Sequence, residues 1–127
     1  MLDRSTLLWI GPGQEPGGLA DSLKVRGYHV LAAKDVTAAI EMLHNREIQL
    51  IVLENQTSCV QGELAAVRLK SAAYRVPILL LCDPQDEAST AQAFFVNLIL
   101  GSKTTPELLL RSIETLLPRQ QARKTGT

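Results

Sequence analysis

The run Leu50-Ile51-Val52-Leu53-Glu54 constrains what this chain can fold into more than any other stretch. Four consecutive branched apolar residues, too few for a helix and bounded by polar ones, predict a strand buried on both faces, as inside a parallel sheet. One carboxylate, Glu54, sits where that strand emerges. In open α/β sheets, ligand and reaction sites gather at the carboxyl ends of the strands, which makes Glu54 the first candidate for chemistry.

Four further apolar runs have the same character: residues 7–10, 28–33, 77–82 and 95–100. The segments between them carry helical spacing. A helix is expected from near Pro16 to Arg26, with Leu19 and Leu23 facing the sheet and Gly27 ending it in the C′ role. Asp35 or Thr37 can cap a second helix that carries Ala39, Ile40 and Leu43 and fades near Asn45. A polar loop over residues 55–61 then leads into a helix carrying Leu64, Val67 and Leu69. The turn Asp83-Pro84-Gln85-Asp86 opens a short helix through Ala91. Finally, Thr105-Pro106-Glu107 supplies an N-cap, a proline at N1 and a first-turn acid for a helix with Leu109, Ile113 and Leu116 on one face, stopped by Pro118. Five βα units predict an α/β fold, a doubly wound parallel sheet with helices on both faces. Residues 1–118 are expected to form that domain, and residues 119–127, polar with three cations, a disordered tail.

Composition narrows the function. Thirteen basic against thirteen acidic residues leave no broad attraction for nucleic acid. No apolar run approaches the ~20 residues that span a bilayer, and the N-terminus has no cleavage-site pattern, so a cytoplasmic protein is expected. Cys59 and Cys82 lack metal-ligand spacing and read as buried or idle free thiols, with no metal site. His29 and His44 have no serine or cysteine placed to make a catalytic pair, so the chain is not expected to be an enzyme. Gly11-x-Gly13, after a strand and before a helix, invites comparison with phosphate- and dinucleotide-binding loops. The third glycine of that fingerprint is replaced by Pro16, and Pro12 and Pro16 lack the N–H an anion cradle uses. A phosphate or nucleotide binder using the loop over residues 11–18 therefore stands as an alternative.

A third strand ending in an acid, Gln49-Leu50-Ile51-Val52-Leu53-Glu54, with Gly62 eight residues on, resembles the receiver domain of bacterial response regulators. Gly27-Tyr28-His29-Val30, Val76-Pro77-Ile78-Leu79-Leu80-Leu81 and Pro106-Glu107-Leu108-Leu109 are similar to that family's second-strand entry, fourth strand and last helix. The resemblance spans nearly the whole chain and implies a flavodoxin-like, CheY-like (βα)5 fold with strand order 2-1-3-4-5. It places Glu54 at the phosphoacceptor position, normally an aspartate. The family's Mg²⁺-binding acids after the first strand are replaced by Ile10-Gly11-Pro12-Gly13, so Mg²⁺ binding is expected to be lost; Glu15 comes several residues late. The family's hydroxyl residue after the fourth strand corresponds to Cys82, a weaker donor, and its lysine to either Ser102 or Lys103.

Three readings of Glu54 follow: a phosphoacceptor in a remodelled site that recruits Glu15, a built-in mimic of the phosphorylated state paired with Lys103, or a polar residue at a strand end. The resemblance implies a stand-alone pseudo-receiver in two-component signalling, acting by protein–protein interaction without ordinary phosphorylation. Its partner would be a histidine kinase, another regulator or a second copy. By the same resemblance the contact surface is the fourth helix, fifth strand and last helix, where Phe94, Phe95 and Leu108 supply apolar density. Leu108, Leu109 and Leu110 cannot all face one sheet, so some are expected to point outward.

Overall fold

The computed structural model describes residues 5–11, 18–54, 59–82, 96–101 and 103–117, and for residues 59–64 the backbone alone. Strands β1 (Thr6–Ile10), β2 (His29–Ala33), β3 (Leu50–Glu54), β4 (Ile78–Leu81) and β5 (Leu98–Leu100) form one parallel sheet in the order β2-β1-β3-β4-β5. Among the described residues four helices accompany it: α1 (Leu19–Val25), α2 (Val36–Asn45), α3 (Cys59–Ala72) and α4 (Pro106–Leu116). This is the expected doubly wound α/β arrangement with the expected strand order. Among the described residues no helix is long and apolar enough to cross a membrane.

Strand periodicity divides the core into two layers. Leu8, Ile10, Ile51, Leu53, Ile78 and Leu80 point to the side covered by α2 and α3. Leu7, Trp9, Leu50, Val52, Leu79 and Leu81 point to the side covered by α1 and α4. The register fixes this division, with Leu7 opposite Leu50 and Trp9 opposite Val52, so Glu54, two residues beyond Val52, belongs to the α1/α4 side. The opposite side, by the same alternation, receives Cys82.

Helix ends follow local chemistry. Asp35 is the N-cap of α2, its carboxylate accepting the Ala38 N–H at 2.8 Å. Thr105 caps α4 in the same way, with Pro106 in the first turn. Gly27, at φ +100°, closes α1: its N–H reaches Lys24 O at 3.0 Å and that of Tyr28 reaches Leu23 O at 3.2 Å, the Schellman pattern.

Several expected boundaries move. α1 begins at Leu19, after an extended Gly18, and Pro16 lies outside the described residues. α3 begins at Cys59, so the polar loop is shorter than expected and Gly62 lies within the helix. Val67 does not face the sheet; it is exposed, while Ala66 and Leu69 are buried, because residues 67 and 69 lie about 200° apart on a helix and cannot share a face. β5 starts at Leu98, not near Phe95: the Ile78 N–H donates at 3.0 Å to the Asn97 side chain rather than to a backbone carbonyl, which interrupts the ladder there. The expected helix after Asp83, together with Phe94 and Phe95, lies outside the described residues.

Candidate functional site

The carboxyl ends of the strands bring Gly11, Glu54 and Cys82 to one edge of the sheet. Glu54 is partly buried there, paired across the ladder with Leu81, and Cys82 follows Leu81 directly. The Glu54 side chain is engaged from below. The indole Nε1–H of Trp9 donates to Glu54 Oε1 at 3.0 Å, across 45 residues of sequence. Trp9 is fully buried in the α1/α4 layer. A tryptophan in that position needs an acceptor for its one polar atom, because an unsatisfied buried donor costs about 1–3 kcal/mol. Glu54 supplies it.

Gly11 makes room for this arrangement. It takes φ +134°, and a Cβ built on it would lie 2.6 Å from Glu54 Cβ, 2.9 Å from Glu54 O and 3.1 Å from Glu54 Oε1. The end of β1 thus lies directly against the base of the glutamate, where only a residue without a side chain fits. Gly11 also donates its N–H to Ala33 O at 3.4 Å, continuing the sheet toward β2.

The other expected positions are placed as follows. Cys82 is fully buried, donates its backbone N–H to Leu100 O at 3.0 Å and is held in a disulfide. This corrects the expectation of an idle free thiol: a disulfide sulfur has no proton to donate, so no weak S–H donor stands in the hydroxyl position. Lys103 is exposed, just beyond β5. Ser102, Glu15 and Gly13 lie outside the described residues. Leu108 is 47 % exposed while Leu109 and Leu110 are buried, so of the three leucines one turns outward. His29 lies at the opposite end of the sheet, lining a 560 Å³ cleft with Thr6, Asn45, Arg46 and Glu47, and His44 is exposed near the end of α2.

Mg²⁺ requires several hard oxygen donors in octahedral array. At the β1 end the described residues offer the buried aliphatic side chain of Ile10 and a glycine, and the one carboxylate nearby already accepts an indole N–H. Among the described residues no three His, Cys, Asp or Glu side chains gather as a metal set. The described residues do not fit this ion.

The sequence reading missed the Trp9 contact. The signal was the tryptophan itself, in a strand of otherwise aliphatic residues, whose N–H had to find an acceptor on a neighbouring strand.

No protein-family model matches the chain, and no curated protein matches it. Solved structures do. The chain is similar to the chemotaxis response regulator CheY4 of Vibrio cholerae, at 20 % identity over 91 % of this chain and 100 % of that one, with a TM-score of 0.70. It is similar to the signal receiver domain of an HD domain-containing protein from Pseudomonas fluorescens Pf-5, at 21 % identity over 94 % and 99 %, TM-score 0.76. An orphan response regulator of H. pylori matches at 16 % identity over 91 % and 100 %, TM-score 0.76. These likenesses establish the fold as that of CheY-like receiver domains.

Proposed function

We propose that this chain is a two-component-type signalling module, a pseudo-receiver that works by protein–protein contact and takes no phosphoryl group in the ordinary way. The observation that carries this reading is the engagement of Glu54 by the Trp9 indole above Gly11. A phosphoacceptor must present a free carboxylate oxygen to the donor beside a bound cation, and positioning errors of about 1 Å cost such chemistry on the order of a hundredfold. Glu54 is one methylene longer than aspartate, and one of its oxygens accepts a hydrogen bond from the core. We read Glu54 as a fixed acceptor that ties β3 to β1.

In this reading Mg²⁺ binding is lost, the chain catalyses nothing, and its partner is a histidine kinase, another regulator or a second copy. The outward Leu108 on α4 supports a contact on that helix. A phosphate or nucleotide site at the β1 turn draws less support, because the Gly11 N–H is already donated to Ala33 O.

The test is incubation of the full chain with acetyl phosphate and Mg²⁺, followed by intact mass. The expected result is no phosphoryl adduct. An adduct that disappears in Glu54→Ala would overturn the reading, and one that disappears in Glu15→Ala as well would favour the remodelled site.

A further inference from the structure

We infer that the outer face of α3, with the turn that follows it, is a docking surface for an acidic segment of a partner protein. The inference rests on the reading of the chain as a protein-contact module and adds the face and the charge of what it contacts.

In a chain with equal numbers of acids and bases, residues 64–82 contain Arg68, Lys70 and Arg75 and no Asp or Glu. Glu63, in the first half of α3, and Asp83 are the nearest acids on either side of this stretch, so from Leu64 onward the second half of α3 and the turn after it are locally cationic. Arg68 and Arg75 are exposed, and neither is ion-paired among the described residues. Beside these cations the surface carries Val67, 39 % exposed, and Tyr74, 71 % exposed, with exposed Ser71 between them donating its hydroxyl to Val67 O at 3.1 Å.

The patch is ordered. Lys70 Nζ donates to Val76 O at 2.8 Å and to Tyr74 O at 3.3 Å, which fixes the turn after α3. On that turn Arg75 Nε donates to the Tyr74 hydroxyl at 3.2 Å, and the guanidinium lies 5.6 Å from the ring centroid. Ring and cation are thus held together before any partner arrives, which lowers the ordering cost of binding. Tyrosine and arginine are the residues most enriched where interfaces concentrate their energy, and a guanidinium matches a carboxylate through paired N–H donors. Lys70 is already committed to carbonyls, so two arginines remain to meet an anion. That is too few for a nucleic-acid backbone, where affinity grows with the number of phosphates neutralised. It suits a short segment presenting carboxylates on either side of an apolar residue.

The test uses the full chain and fluorescence anisotropy at low salt with three labelled probes: a Glu-rich peptide with interspersed leucines, the same peptide with Lys for Glu, and a single-stranded oligonucleotide. The Glu-rich peptide should bind best, and more weakly as salt rises. Arg68→Glu/Arg75→Glu should weaken it by about tenfold or more, Tyr74→Ala should weaken it as well, and Arg111→Glu on α4 should leave it unchanged. All substituted positions are exposed, and unchanged Trp9 emission checks that each variant is folded. Equal binding by the double variant, preference for either other probe, or no binding would overturn the inference. Such a failure leaves the acetyl phosphate result untouched, just as an adduct at Glu54 would overturn the pseudo-receiver reading and not the binding measured on α3.

Discussion

Trp9 and Glu54 meet because β1 and β3 are neighbours in register and both residues point to the α1/α4 side. Glu54 was legible in the sequence as an acid at a strand end, since four branched apolar residues before it define the strand. Its partner was not, because a contact between residues 9 and 54 depends on strand order and on which face each residue takes. The disulfide of Cys82 was hidden for a similar reason: spacing along the chain carries no information about the Cα separation that a disulfide demands. Gly11 is where this corner is most sensitive. Gly11→Ala adds a Cβ at 2.6 Å from Glu54 Cβ on a backbone at φ +134°, and the expected loss is roughly 2–4 kcal/mol by urea denaturation. Adding Glu54→Ala should recover little of it, because the two closest atoms, Cβ and the backbone oxygen, remain. Full recovery in the double variant would show that the carboxylate, not the backbone approach, makes glycine necessary.

The helices were legible where a cap or a breaker marked their ends, as at Asp35, Gly27 and Thr105, and less so where the outcome depended on packing. α4 shows both. Its cap and first turn form as expected, and the leucine run divides as helical geometry requires. Leu109→Ala should cost about 2–5 kcal/mol in thermal or denaturant unfolding, against less than about 0.5 kcal/mol for Leu108→Ala. Equal effects would contradict the placement of these side chains. Tyr28, at the entry to β2, packs on the α1/α4 layer, and its phenol is raised above 10.0 by burial first, then by Glu114, with Arg26 acting the other way. The unfolded phenol therefore ionises earlier. The contribution of Tyr28 to stability is complete below pH 10.0 and is lost as pH rises through the raised value. Lys70, lowered from 10.5 by burial, has the opposite sign, since its unfolded form holds the proton longer, so stability rises with pH as its ammonium titrates. Comparing the chain with Tyr28→Phe cancels the lysine. Above pH 10.0 the parent should lose stability relative to the variant, and parallel pH profiles would refute the assignment.

For the whole molecule, the covered parallel sheet was the part best carried by the residues themselves, because fully apolar strands admit few other arrangements, whereas the strand order came from the resemblance to receiver domains alone and the assignment of residues to layers came only with the structure. The receiver fold brings its third-strand acid to the carboxyl edge of the sheet, where in this chain Glu54 accepts the Trp9 indole N–H. The central claim is that Glu54 is a fixed acceptor for the core rather than a site awaiting a phosphoryl group. The chain has one tryptophan, so its indole N–H gives a single ¹H–¹⁵N signal that reports on that bond directly. The account predicts one slowly exchanging indole signal that is displaced by Glu54→Ala and does not move when Mg²⁺ and beryllofluoride are added. A saturable, Mg²⁺-dependent shift of that signal in the parent chain would contradict it.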